Sequence, residues 1–186
     1  MNVSIVIPAF NEEQGVAKII GELRAVLEER GIAAEILVFD DGSSDHTAQA
    51  AAGAGARVFR HRSNRGYGAA LKSGISAASN EYIVITDADG TYPCQYIPQM
   101  LKRLETSDMV VGALIGSNVK IPAIRKPANW ALNQLANYMT RTKIPDLNSG
   151  LRAFRRDVAM QYFGFFRTNS VGPPPSRWRC TAISTP

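Results

Sequence analysis

The sequence predicts an α/β fold: a mostly parallel central sheet with helices on both faces. Three observations carry this expectation. Short apolar runs alternate with stretches of helical period, the order expected of a parallel sheet. The first run, Ser4–Pro8, is apolar almost without interruption, as suits a strand buried on both faces. Finally, the unusual polar chemistry of the chain falls just after these runs, at the carboxyl ends of the strands, where open parallel sheets bind ligands.

The elements follow in order. After strand Ser4–Pro8, the stretch Glu12 to Arg30 places Val16, Ile19, Ile20, Leu23, Val26 and Leu27 at helical spacing, with Gly31 as the stop. Glu35–Phe39 is the second strand. Asp45 is the expected N-cap of an Ala-rich helix ending near Gly53. Arg57–Arg60 is a third strand, Tyr67–Ala78 a third helix and Glu81–Thr86 a fourth strand. Pro93 opens a helix through Leu104, and Asp108–Val111 is a fifth strand. An amphipathic helix is expected over Asn129–Arg141, and a short helix starts near Arg156.

After Phe166 the character changes. The stretch RTNSVGPPPSRWRCTAISTP holds three consecutive prolines and no apolar period, so residues 167–186 are expected to be a disordered tail foreign to a domain over residues 1–166.

Composition narrows the function. With 186 residues the chain fits one domain with a substantial core. No apolar run approaches the ~18–20 residues of a membrane span, and no signal peptide precedes the first strand, so a cytoplasmic location is expected. Two cysteines, Cys94 and Cys180, lack metal-ligand spacing and make a disulfide framework unexpected. Residues 1–112 carry 10 basic and 14 acidic side chains, whereas residues 113–186 carry 11 and 2. A basic half of this kind either is a solvated surface or meets phosphates, and it is compatible with peripheral binding at the inner membrane face. Nucleic acid is the least favoured partner, because no nucleic-acid motif is present and aromatics do not interleave with the charges.

Four segments carry the chemistry. In IPAFNEE (7–13) Pro8 ends the ladder and exposes Phe10, Asn11 and Glu12 at the strand end. A turn followed by acidic helix-start residues would explain this segment alone. In FDDGSSD (39–45) one cap needs one side chain, which leaves Asp40 and Asp41 as candidates to accept hydrogen bonds from a ribose or base. NRGYGAALKSG (64–74) is a poor dinucleotide fingerprint, since it follows a loop and lacks the third glycine. It is expected to close over the edge of the site. ITDADGTYP (85–93) sets Asp87 and Asp89 at the end of a buried apolar strand. Carboxylates so close raise a pKa or demand a cation, and hard oxygen ligands select Mg²⁺ or Mn²⁺ bridging to substrate phosphates.

PAFNEE, DDGSSD, NRGYGAALKSG and DADGTYP, in this order and spacing, resemble the inverting family-2 glycosyltransferases, and within them the dolichyl-phosphate mannose synthase branch. DLNSGLRAFRR (146–156) supports that branch, and the resemblance runs from about residue 3 to 166. It implies a Rossmann-like GT-A fold, here incomplete at its C-terminal end, that moves a sugar from a UDP- or GDP-sugar to a polyprenyl phosphate at a membrane surface. By position it implies Pro8, Phe10 and Glu12 for the nucleotide, with Asp40 or Asp41 on its base or ribose, and Asp87 and Asp89 for metal and diphosphate, with Thr91 where the family carries Gln. It implies Asp89 and Arg152 as catalytic groups, and Ser149, Arg125 and Lys126, with Arg141, toward phosphate. An ionised lipid phosphate needs no protein general base. Relatives continue beyond Phe166 with a segment like PDGFSFTTTITLA. Codons for Phe166 to Cys180 read from each third base permit P-D-E-F-S-W-T-T-T-I-T-L-A-M, so a frameshift near Phe166 is expected. The alternative is an inactive truncated fragment that at most binds nucleotide.

Overall fold

A computed structural model of the chain describes residues 2–114, 149–165 and 180–185. Within these residues seven strands form one sheet: β1 (Asn2–Ala9), β2 (Ala33–Asp40), β3 (Arg57–Arg60), β4 (Tyr82–Ile85), β5 (Met109–Leu114), β6 (Arg152–Arg155) and β7 (Cys180–Thr185). Among the described residues five helices accompany them: α1 (Val16–Glu29), α2 (Thr47–Gly53), α3 (Tyr67–Ala77), α4 (Ile97–Arg103) and α5 (Arg156–Phe165). The spatial order is β3-β2-β1-β4-β6-β5-β7, and only β6 runs antiparallel to its neighbours. The architecture is thus mixed α/β with a mostly parallel sheet.

β1 lies between β2 and β4 and is buried from Val3 to Ala9, which is why its apolar run does not alternate. One face of the sheet receives Val16, Ile19, Ile20, Leu23 and Leu27 of α1, Ala51 of α2, and Ile97, Met100 and Leu101 of α4. The opposite face packs Val6, Leu37, Phe39, Ile83 and Ile85 under Ala70 and Ile75 of α3, with Ala159 of α5 against its rim. Each fully buried Ile or Leu contributes on the order of 1.5–3 kcal/mol, so the apolar stripe of α1 is a large part of what anchors that face.

Several expectations are corrected. The helix after β2 begins at Thr47 with His46 at the N-cap position, one residue later than expected, and the side-chain capping bond still comes from Asp45, whose Oδ1 accepts the Thr47 N–H at 3.0 Å. A short 3₁₀ turn, Cys94–Tyr96, separates Pro93 from α4. β6 was not anticipated, because the polar ends of Arg152-Ala153-Phe154-Arg155 hide its two buried central residues. Nor was β7: within a stretch expected to be disordered, Cys180–Thr185 pairs in parallel with β5 at the sheet edge. Thr181, Ile183 and Thr185 are β-branched at alternate positions, and Ile183 is buried on the core. The prolines at 173–175 and the expected helix over 129–141 lie outside the described residues.

Candidate functional site

The sheet register brings the strand ends together. Ala9 sits opposite Asp40, and Val6 sits opposite Ile85, so β1, β2 and β4 release their following loops on one rim. There Pro8, Phe10, Glu12, Asp41, Asp87 and Asp89 line one cleft of about 380 Å³. β4 ends at Ile85, so the two aspartates share the cleft through the loop that follows rather than through strand alternation.

The first two loops are stitched to each other. The Asn11 N–H donates to Ser43 Oγ (2.9 Å), the Glu12 N–H to Thr47 Oγ1 (2.8 Å) and the Glu13 N–H to Asp45 Oδ2 (3.3 Å). In return Asn11 Oδ1 accepts the Ser44 N–H at 2.9 Å, and Glu13 Oε2 accepts the His46 N–H at 3.0 Å. Most polar residues of PAFNEE and DDGSSD thus serve one another, leaving Phe10, 45% exposed, at the cleft mouth.

The two aspartates of the second motif divide. Asp40 is fully enclosed: its Oδ1 accepts the Ser43 N–H at 2.8 Å, and its Oδ2 lies 3.0 Å from Arg60 Nε as an ion pair without hydrogen-bond alignment. Asp41, not Asp40, is the member of the pair that lines the cleft. It spends both oxygens on the chain: on His61 Nδ1 (2.6 Å), the Arg65 N–H (3.0 Å) and the Gly66 N–H (2.7 Å). Burial alone would raise its pKa, but these hydrogen bonds outweigh it and hold the carboxyl below its ordinary value. Asp41 thereby anchors the 64–66 loop, which delivers Asn64 and Tyr67 to the cleft.

Asp87 and Glu12 shift the other way. Burial, then the neighbouring Asp89, push the Asp87 pKa up, against the Tyr67 hydrogen bond and the Arg152 charge. Glu12 is raised by burial and by Asp89, Asp45 and Asp87 in turn. Asp89 Oδ1 accepts the Thr91 N–H at 2.9 Å.

A second cleft of about 290 Å³ lies beside the first, lined by Tyr67, Leu71, Ile85, Asp87, Gly150 and Arg152. Ser149 borders it, but its buried hydroxyl donates to the Gly112 and Leu151 carbonyl oxygens, tying β5 to the loop before β6. Arg152 Nε donates to the Ser149 carbonyl at 2.9 Å. Arg125, Lys126 and Arg141 lie outside the described residues. Tyr67 escaped the sequence reading, although an aromatic directly after the glycine that opens α3 was its available signal.

Among the described residues no group of three or more His, Cys, Asp or Glu side chains is arranged to hold a metal. Asp87 and Asp89 nevertheless suit Mg²⁺ or Mn²⁺, which keep several waters and take one or two carboxylates, substrate phosphates completing the shell. Among the same residues no helix is long and apolar enough to cross a membrane.

The sequence profile described as "Glycosyl transferase family 2" matches residues 4–163. The chain is 30% identical over 159 residues to a protein named dolichyl-phosphate hexose transferase from Haloferax volcanii, covering 84% of this chain and 68% of that one. It is 35% identical over 162 residues to the undecaprenyl-phosphate 4-deoxy-4-formamido-L-arabinose transferase of Salmonella paratyphi A, covering 84% and 49%. A crystal structure of glucosyl-3-phosphoglycerate synthase from Mycobacterium tuberculosis, in complex with Mn²⁺ and UDP-glucose, superposes with a TM-score of 0.64 at 25% identity, covering 84% and 57%. The chain thus spans between about half and two thirds of these relatives.

Proposed function

Because the chain belongs to glycosyl transferase family 2, we propose that it moves a sugar, with inversion, from a UDP- or GDP-sugar to a polyprenyl phosphate at the membrane surface. The observation that carries this reading is the carboxylate crowd, Glu12, Asp87 and Asp89, in one cleft at the carboxyl ends of the strands. Left to themselves these groups repel a diphosphate and each other. A divalent cation reverses both effects, and Asp87 and Asp89 are the residues to hold it. When bound, such an ion supplies Lewis-acid neutralisation of the leaving nucleoside diphosphate. The names of the two polyprenyl-phosphate transferases, and of the relative crystallised with Mn²⁺ and UDP-glucose, support the acceptor and donor classes.

The chain's own residues then have distinct tasks. Pro8, Phe10 and Glu12 line the nucleotide end, and the stitched loops hold them there. Arg152 borders the second cleft, where a guanidinium suits a phosphate oxyanion. Arg125 and Lys126 are proposed for the same acceptor phosphate. The ionised acceptor oxygen attacks the anomeric carbon, and the bond to the nucleoside diphosphate breaks with its electron pair on the leaving oxygen. No proton needs removing from such a nucleophile, so no general base is required of the protein.

The test is transfer itself. Purified chain is incubated with UDP- and GDP-sugars, a short polyprenyl phosphate and Mn²⁺, and the glycolipid is measured with and without chelator. Chelator-sensitive transfer is expected. Nucleotide binding without transfer from any donor would reduce the chain to a binding domain and overturn the proposal.

A further inference from the structure

Asp87 is gripped from two distant parts of the chain. On one side Tyr67, 53% exposed at the start of α3, donates its hydroxyl to Asp87 Oδ1 at 3.0 Å. On the other, the loop before β6 presses Gly150 against the same carboxylate. A β-carbon on Gly150 would fall on Asp87 Oδ2, within 2.6 Å of Cγ and 2.8 Å of the Tyr92 ring. No side chain fits at 150 unless Asp87 moves. Tyr67 and Asp87 are also the two residues shared by both clefts, together with the hydrogen bond between them, so this pair is the wall that separates the clefts.

We infer that Tyr67 and Gly150 are positioning residues for Asp87, fixing the direction its carboxylate offers to a cation: Tyr67 by its hydrogen bond, Gly150 by the absence of a side chain. This deepens the proposed metal role of Asp87 and rests on it. Charge repulsion among Asp87, Asp89 and Glu12 favours turning these groups apart. A carboxylate held against that tendency meets a cation without first being reoriented. Partners that orient a ligating carboxylate contribute on the order of 10–100-fold in metal affinity. The wall they build also keeps the diphosphate side distinct from the acceptor side, leaving the carboxylate between them.

The experiment titrates Mn²⁺ into the purified chain, following free ion by electron paramagnetic resonance, for wild type, Tyr67→Phe, Gly150→Ala and Asp87→Asn. Circular dichroism and thermal melting report folding. Both positioning variants are expected to lose about 10-fold in Mn²⁺ affinity while keeping the wild-type spectrum. If Gly150→Ala fails to fold, Tyr67→Phe decides alone, since it removes only a hydroxyl. Wild-type Mn²⁺ affinity in Tyr67→Phe, with Asp87→Asn impaired, would overturn the inference and leave the metal role standing. Wild-type affinity in Asp87→Asn would remove the metal role, and the inference with it.

Discussion

Glu12 shows how a single side chain reports the state of the cleft. Its pKa is raised by burial and by Asp89, Asp45 and Asp87, so the fold disfavours its charged form. The sign follows: between the ordinary Glu value of about 4.3 and the raised one, the folded state binds more proton than the unfolded, and stability falls as pH rises. Glu12→Gln removes that penalty. Its metal-free Tm is expected to match wild type in acid and to exceed it above this window; a Tm difference that does not change with pH would show that neither burial nor the neighbouring carboxylates penalise the charged form of Glu12. Asp40 and Asp41 show what residue identity alone leaves open. The sequence offers two adjacent aspartates at a strand end, and nothing in their spacing tells that one is enclosed against Arg60 and the other spent on a loop backbone. Partners 20 or more residues away make that distinction, as Ser149 and its Gly112 carbonyl show again.

Among the elements, those with a local cause were legible. The α1 stripe, the β1 run and the β3 boundaries rest on periodicity and flanking turn residues; β3 falls where expected, β1 runs slightly longer than Ser4–Pro8, and α1 starts at Val16 rather than Glu12. β6 and β7 were not, because four-residue Arg152–Arg155 and Thr-rich Cys180–Thr185 become strands only through pairing with β4 and β5. The stitched β1–α1 and β2–α2 loops offer a prediction at this scale. Asn11 adopts φ 56°, a left-handed conformation that Asn tolerates better than Ala, and its side chain accepts the Ser44 N–H. Asn11→Ala should cost about 1–3 kcal/mol, combining the lost hydrogen bond with the backbone penalty. Asn11→Gly should cost less, since glycine removes only the first. Chemical denaturation measures both; equal losses would show that the backbone conformation contributes nothing.

Over the whole molecule, the cleft is assembled from parts no single segment contains. β1, β2 and β4 deliver Glu12, Asp41 and the Asp87–Asp89 loop to one rim, α3 adds Tyr67, and the loop before β6 adds Gly150. The site's location was legible because topology alone sends these loops to the carboxyl edge. Its division into two clefts was not, since it depends on a contact between residues 67 and 87. The most direct test of the central claim, a cation held by Asp87 and Asp89 beneath a diphosphate, is the thermal shift produced by UDP and GDP with and without Mn²⁺. Ligand at about 100 times its Kd stabilises by about 2.7 kcal/mol. Wild type should show a clear rise in Tm with nucleoside diphosphate and Mn²⁺ together, and Asp87→Ala and Asp89→Ala should lose it. Variants that respond as wild type does would contradict the account.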